Sequence, residues 1–308
     1  MIRVREAARR LQGKVRVTPC LDLEPGAFGL PGHITLKLEQ HQHTGSFKVR
    51  GVYNKLLTST IPLAGVVTAS GGNHGMALAF VARELGVPCR IYVPEVATPY
   101  KLAQIRKYGA AVQVEGAVYA EAAEAAQRYA DFSGALNVPA FDDPAVVEGQ
   151  GTLAFELEQQ RPSTETVLTA VGGGGFIAGL CSWYQGRVKV VSVEPDGSPT
   201  LQQALLAKKP VDIMTGGIAA DSLGCRRIGS VPFSILQDGV AQAVLVSDEV
   251  TLRAQRLLWD ELRIMAEPGG ATAFAALLSG AYQPGVDERV NVIICGGNVD
   301  PHSFPVGA

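Results

Sequence analysis

The chain has 308 residues, a formal charge of −2, 47% hydrophobic residues and 18% charged ones. That balance suits a compact α/β enzyme with a sizeable core and excludes a disordered chain, and dispersed Lys and Arg give no electrostatic footprint for nucleic acid. No apolar run is long enough to span a bilayer, residues 1–6 lack a signal-peptide core, and five scattered cysteines without a CxxC pair read as reduced thiols of a cytoplasmic protein.

Val4, Ala7, Ala8 and Leu11 recur at helical spacing and predict an opening amphipathic helix ended by Gly13. Residues 16–32 are turn-rich and are expected to wrap over the surface. A strand at 34–39 leads into His43-Thr44-Gly45-Ser46-Phe47-Lys48-Val49-Arg50-Gly51. There Ser46 is placed to cap a helix, and Lys48 falls in its first turn. Cations prefer the other end of a helix. The misfit reads either as a solvated lysine or as an amine held near a bound anion, as in a Schiff-base lysine serving a phosphorylated cofactor.

Strand 65–69 runs into Ser70-Gly71-Gly72-Asn73-His74-Gly75 and a helix stopped by Gly86. A strand at 89–93, a helix at about 98–108, a strand at 111–115 and a helix at 119–129 follow. This alternation predicts βαβ units and parallel sheets. Asp142-Asp143-Pro144 starts a long helix to 161, with a hinge expected near Gly149 and Gly151. Strand 166–171 ends in Gly172-Gly173-Gly174-Gly175, followed by a helix from 176, a strand at 188–194 and a short helix at 199–207. Residues 208–237 read as loop-rich and are expected to reach the site. A strand at 243–246, helices at 248–263 and 270–278, and a strand at 290–294 ending at Cys295-Gly296-Gly297-Asn298 complete the chain.

In an open parallel sheet, ligands bind outside the carboxyl ends of strands. Three glycine-rich turns at such ends could therefore converge on one crevice. Gly172–Gly175 (residues 172–175) reads as a phosphate cradle, because four missing side chains let backbone N–H groups approach an anion at a helix start. The same stretch also fits a dinucleotide fingerprint, Gly173-x-Gly175-x-x-Ala178, with Glu194 ending the next strand. That nicotinamide reading leaves Lys48 and the Asn73 turn without a role. The Ser70–Gly75 turn suits a carboxylate, and Cys295 is either a buried small hydrophobe or a thiol aimed at a cofactor ring.

Together these residues resemble the serine/threonine dehydratases of the fold type II, tryptophan-synthase-β-like pyridoxal-phosphate enzymes. The markers, in order, are the Lys48 segment, the Asn73 turn, the tetraglycine, Val193-Glu194-Pro195, Glu267-Pro268-Gly269-Gly270-Ala271 and Cys295-Gly296-Gly297-Asn298. The resemblance implies two doubly wound α/β domains: a large one from residues 1–45 and 144–308, and a small one at 46–143 inserted in it. It implies pyridoxal 5'-phosphate as cofactor and a homodimer. It makes Lys48 and Ser70 the catalytic candidates, Lys48 carrying the cofactor and acting as base at the substrate Cα. Phe47 would pack on the cofactor ring, Asn73 would bind its 3-hydroxyl, Gly172, Gly173, Gly174 and Gly175 its phosphate, and Cys295 would face its pyridine nitrogen. Ser70, Gly72, Asn73 and His74 would hold the substrate carboxylate.

The expected reaction is dehydration and deamination of L-threonine, L-serine or another β-hydroxy amino acid such as 3-hydroxyaspartate, giving a 2-oxo acid and ammonia. Gly71 stands where serine racemases carry a second catalytic serine, so elimination without efficient racemisation is expected. Cation-binding members place a carboxylate at the position of Glu194 and another where this chain has Thr200; a divalent site at Glu194 with the Ser198 carbonyl is set against Glu194 as a structural strand-end residue. The chain ends soon after Cys295, so a C-terminal regulatory domain is not expected. The readings from other classes are a nicotinamide-dependent oxidoreductase and a non-catalytic protein that binds pyridoxal phosphate or an amino acid.

Overall fold

The computed structural model describes residues 3–97, 99–302 and 304. Its first half runs α1 (Val4–Leu11), β1 (Cys20–Asp22), β2 (His33–Leu38), α2 (Lys48–Leu57), β3 (Val66–Ala69), α3 (Asn73–Leu85), β4 (Cys89–Val93), α4 (Pro99–Lys107), β5 (Ala111–Val114), α5 (Tyr119–Ser133) and β6 (Leu136–Asn137). Next come α6 (Pro144–Gln160), β7 (Thr166–Ala170), α7 (Gly175–Tyr184), β8 (Lys189–Pro195), α8 (Thr200–Ala207), α9 (Ala220–Leu223) and α10 (Ser230–Gly239). The chain closes with β9 (Gln242–Val246), α11 (Asp248–Leu262), α12 (Pro268–Leu278) and β10 (Arg289–Ile294). The helix start expected at residue 98 lies outside the described residues.

These elements form two sheets. One has six strands in the order β1-β2-β10-β7-β8-β9, and the other has four in the order β5-β4-β3-β6. Every pairing is parallel except β1 with β2, which makes the predicted α/β class the observed one. The central strands are buried from end to end, as in β3 and β7. A parallel strand covered by helices on both faces must be apolar along its length. Each sheet reverses direction once: β7 leads outward to β8 and β9 while β10 and β2 lie on its other side, and β3 lies between β4 and β6. Such switch points open a crevice at the carboxyl ends of the strands.

Helix ends follow local chemistry. Asp143 caps α6, its Oδ1 accepting from Ala145 N at 2.8 Å and Val146 N at 3.2 Å, with Pro144 in the first turn. A cap of this kind contributes about 1 kcal/mol. Gly86 closes α3 with φ of 67°.

Four expectations are corrected. Residues 16–32 are not loop throughout, since β1 pairs antiparallel with β2. Residues 208–237 contain α9 and most of α10. Gly149 and Gly151 form no hinge but lie inside α6, where they let helices touch. A Cβ on Gly149 would lie 2.4 Å from Arg50 O, and one on Gly151 would lie 2.7 Å from Gly179 O. Close backbone approach therefore sandwiches α6 between α2 and α7. Ser46 caps nothing: α2 begins at Lys48 without a side-chain cap, and the fully buried Ser46 pairs through its backbone with Gly296.

A buried ionic cluster holds α2 in place. The Arg50 guanidinium donates to Glu39 Oε1 at 2.7 Å and Glu156 Oε2 at 2.8 Å, while Lys37 Nζ donates to Glu156 Oε1 at 2.5 Å. Burial alone would raise the Glu156 carboxyl, but Arg50 and Lys37 hold it below its usual range. Two cations thus meet two carboxylates from β2, the turn after it, α2 and α6, and Arg50 stands two residues after Lys48 in α2.

Candidate active site

Adjacent strands β2, β10 and β7 deliver three pieces to one place: the Lys48 segment follows β2, Cys295 follows β10, and the tetraglycine follows β7. The lysine segment is laced to the last strand. Phe47 N donates to Cys295 O at 3.2 Å, and Gly297 N donates to Gly45 O at 2.9 Å. Gly45 has φ of 73°, and a Cβ there would lie 2.5 Å from Asn298 Oδ1, so only glycine fits. The opposing wall is the Ser70–Gly75 turn at the end of β3.

Lys48 is partly buried, and its Nζ donates to Ala140 O at 3.1 Å. Burial lowers its pKa below the ordinary lysine value, with Cys225, Cys295 and Glu267 pulling it partly back. A lysine so placed gives up its proton more readily than one in water and so becomes a better nucleophile and base. Phe47 stacks on Phe176, with ring centroids 4.0 Å apart. The Cys295 thiol is buried and raised well above its usual range by burial, so it stays neutral.

The glycine turn is closed from behind. A Cβ on Gly173 would lie 2.3 Å from the Phe141 ring, and one on Gly175 would lie 2.8 Å from Phe141 O. Gly174 has φ of 87° and precedes α7. The first N–H groups of α7 have no acceptor within their own helix, which suits an anion. A turn without side chains at a helix start, a basic amine in a cleft and a neutral thiol fit pyridoxal phosphate. In that fit the tetraglycine would hold the phosphate, and Lys48 the aldehyde carbon.

The Asn73 turn is more constrained than its sequence suggests. Ser70 Oγ accepts from Gly72 N at 3.3 Å. His74 Nε2 donates to Val138 O at 2.9 Å, and among the described residues its Nδ1 has no partner. Burial drives the imidazole pKa down to about 3, with Lys48 adding to the effect. A neutral ring presenting a bare lone pair cannot donate to a carboxylate. What His74 offers the expected carboxylate site is its backbone N–H in the first turn of α3. Asn73 places its side chain between Glu267 and Asn298.

Glu194 is fully buried and gives both oxygens to α8, accepting from Leu201 N at 2.6 Å and Gln202 N at 2.8 Å. Burial pushes it up to about 7 against those bonds. Glu194 therefore anchors the start of α8, each oxygen accepting a backbone N–H, which is the structural role set against the cation and ribose readings. Among the described residues no group of three metal-ligating side chains occurs.

The sequence reading gave no role to Glu267, Asn298 or Lys101. Lys101 of α4 and Asp221 of α9 form an ion pair over a cleft that Asn73, Glu267 and Asn298 also line. Glu267 and Asn298 sit inside quoted motifs, which was their one signal. Burial pushes the Glu267 carboxyl up to about 7, opposed by its bond from Asn73.

A profile of the pyridoxal-phosphate dependent enzyme family matches residues 11–296. The chain is 34% identical over 302 residues to the L-threonine ammonia-lyase of Thermotoga maritima, covering 96% of this chain and 75% of that one. It is 36% identical to the biosynthetic L-threonine dehydratase of Salmonella typhimurium, covering 94% of this chain but spanning only 57% of that enzyme's length. Among solved structures, a T.th. threonine deaminase superposes with a TM-score of 0.90 at 34% identity, covering 96% of this chain and 97% of the other.

Proposed function

The chain belongs to the pyridoxal-phosphate dependent enzymes, and from that premise we propose that it removes water and then ammonia from a β-hydroxy amino acid, L-threonine or L-serine, leaving a 2-oxo acid. The observation that carries the reading is the placing of the Lys48 amine: its Nζ donates to Ala140 O next to Phe141, which backs the tetraglycine turn, while the adjoining Phe47 N donates to Cys295 O. Pyridoxal phosphate, when bound, supplies the electron sink for a carbanion at the substrate Cα.

The residues have the following roles in this reading. Lys48 takes the Cα proton; burial makes it a base of suitable strength. Backbone N–H groups at the start of α3 hold the substrate carboxylate, and Ser70 lies beside them. The β-hydroxyl leaves with a proton as water, and water then hydrolyses the released enamine to the 2-oxo acid and ammonia. Cys295 places no carboxylate at the pyridine nitrogen. That nitrogen then need not stay protonated, which favours prompt loss of the β-substituent. Phe47 covers the ring. Gly71 offers no hydroxyl to return a proton to the opposite face of Cα, which argues against a racemase. The division into an inserted small domain, 46–143, and a large one, a homodimeric state and a cytoplasmic location complete the proposal.

The test is a spectrum followed by a substrate panel. The purified protein is expected to be yellow and to lose its visible band in Lys48→Ala. It is expected to release 2-oxo acid from L-threonine or L-serine faster than from 3-hydroxyaspartate. A colourless protein that binds NAD tightly would refute the cofactor assignment. Bound cofactor with no turnover of any panel member would refute the activity.

A further inference from the structure

Glu267 is 4% exposed. Among the described residues its carboxylate accepts one hydrogen bond, from Asn73 Nδ2 at 2.5 Å, and takes part in no ion pair. An isolated buried carboxylate is costly to keep, so its place needs a reason.

The reason starts far earlier in the chain, at the Thr44 carbonyl. A carbonyl oxygen can only accept. Asn298 donates to it through Nδ2 at 2.6 Å, which fixes the flip of the Asn298 amide. The same Nδ2 also donates to Asn73 Oδ1 at 2.7 Å, spending its second hydrogen. Asn73 must therefore turn its oxygen to Asn298 and its nitrogen to Glu267, and Glu267 must offer an acceptor. A flipped Asn73 would set oxygen against oxygen at Glu267 and hydrogen against hydrogen at Asn298. Of the four hydrogen-bonding positions of the Asn73 amide, two are spent, which leaves one Nδ2 hydrogen and one Oδ1 lone pair with their identities settled.

We propose that Glu267 is a positioning residue which, with Asn298, locks the Asn73 amide so that its one free donor, the second Nδ2 hydrogen, can donate to the ring oxygen of the bound cofactor. The proposal rests on the pyridoxal-phosphate reading above. It also makes Glu267 act across the crevice, since Asn73 starts α3 after the four-stranded sheet's β3 while Glu267 and Asn298 flank α12 and β10.

The test is titration of the cofactor-free protein with pyridoxal phosphate, followed by the visible band, in wild type, Asn73→Ala, Glu267→Ala, Glu267→Gln and the double variant Asn73→Ala/Glu267→Ala. Losing a hydrogen bond to a charged oxygen weakens binding roughly ten- to a hundred-fold. Glu267→Ala is expected to fall in that range, and Glu267→Gln, which keeps an amide oxygen for Asn73, is expected to recover most of the loss. Because Glu267 acts through Asn73, the double variant should bind within about two-fold of Asn73→Ala alone. Losses that multiply in the double variant, or wild-type affinity in Glu267→Ala beside a weakened Asn73→Ala, would overturn the proposal. If Glu267→Ala fails to fold, Asn298→Ala, paired with Asn73→Ala in the same cycle, tests the other anchor by the same criterion. A wild-type chain that gives no visible band would overturn the cofactor reading and this proposal with it.

Discussion

Gly174→Ala separates what the tetraglycine turn owes to backbone conformation from what it owes to packing. Gly174 has φ of 87°, where an L-residue is strained by about 1–2 kcal/mol. A Cβ there would also lie 2.6 Å from Ile228 Cδ1 and 3.0 Å from Pro232 Cβ. Relieving such overpacking costs about 1–3 kcal/mol. Gly186 is the control: its φ is 79°, and nothing lies within 4 Å of its Cβ position. Gly186→Ala should lose only the conformational part. Urea unfolding of the cofactor-free proteins should therefore place Gly174→Ala about 1–3 kcal/mol below Gly186→Ala. Because Gly174 caps α7, the displaced helix start should also weaken pyridoxal-phosphate binding in Gly174→Ala, while Gly186→Ala binds as the wild type does. Equal destabilisation in both variants, with equal cofactor affinity, would refute the claim that this turn is packed against 228–232.

Glu267→Gln should change the pH dependence of stability. The folded carboxyl titrates at about 7, above its unfolded value, so the folded state holds the extra proton between about pH 4.3 and 7, and stability falls as pH rises through that window. The variant should match the wild type near pH 4 and exceed it by about 2–4 kcal/mol at pH 8 in cofactor-free thermal scans; a pH-independent difference contradicts the shift. Arg50→Met leaves Glu156 with Lys37 alone and takes from Glu39 its ion pair, which should cost about 3–5 kcal/mol in urea unfolding, and Arg50→Met/Glu39→Met should recover part of it; a loss under about 1 kcal/mol would show that the cluster is solvated. Wild-type protein given L-serine should form pyruvate without D-serine. A Cβ on Gly71 meets Ala97 Cβ at an ordinary 3.5 Å, so Gly71→Ser should fold normally and begin to form D-serine by chiral chromatography. A folded variant that forms none would show that a hydroxyl at 71 is not what the wild type lacks.

Much of the site was legible because its chemistry is local. Lys48, the Asn73 turn, the tetraglycine and Cys295 all follow strands, and apolar runs ending in glycine mark such junctions without reference to anything distant. Helix limits were read closely for the same reason: Gly86 closes α3 and Asp143-Pro144 opens α6 through contacts within a few residues. Where local rules misled, a distant partner had intervened. Ser46 looked like a cap but pairs with Gly296, and Gly149 looked like a hinge but packs on Arg50 O. The bonds from Glu194 to α8 were not legible either, since they need α8 to fold back onto the end of β8.

The amino-acid sequence by itself determined the α/β class, because periodicity and turn residues are properties of neighbouring residues, and its strand-end motifs carried the resemblance to the family and singled out the lysine proposed as the centre of the site. Only the tertiary structure decided how those motifs are held. The chain of bonds from Thr44 through Asn298 and Asn73 to Glu267, and the cluster of Lys37, Glu39, Arg50 and Glu156, join residues far apart along the chain. Their value comes from burial, which makes every unpaired polar group costly, and burial exists only once the sheets and helices have closed around them.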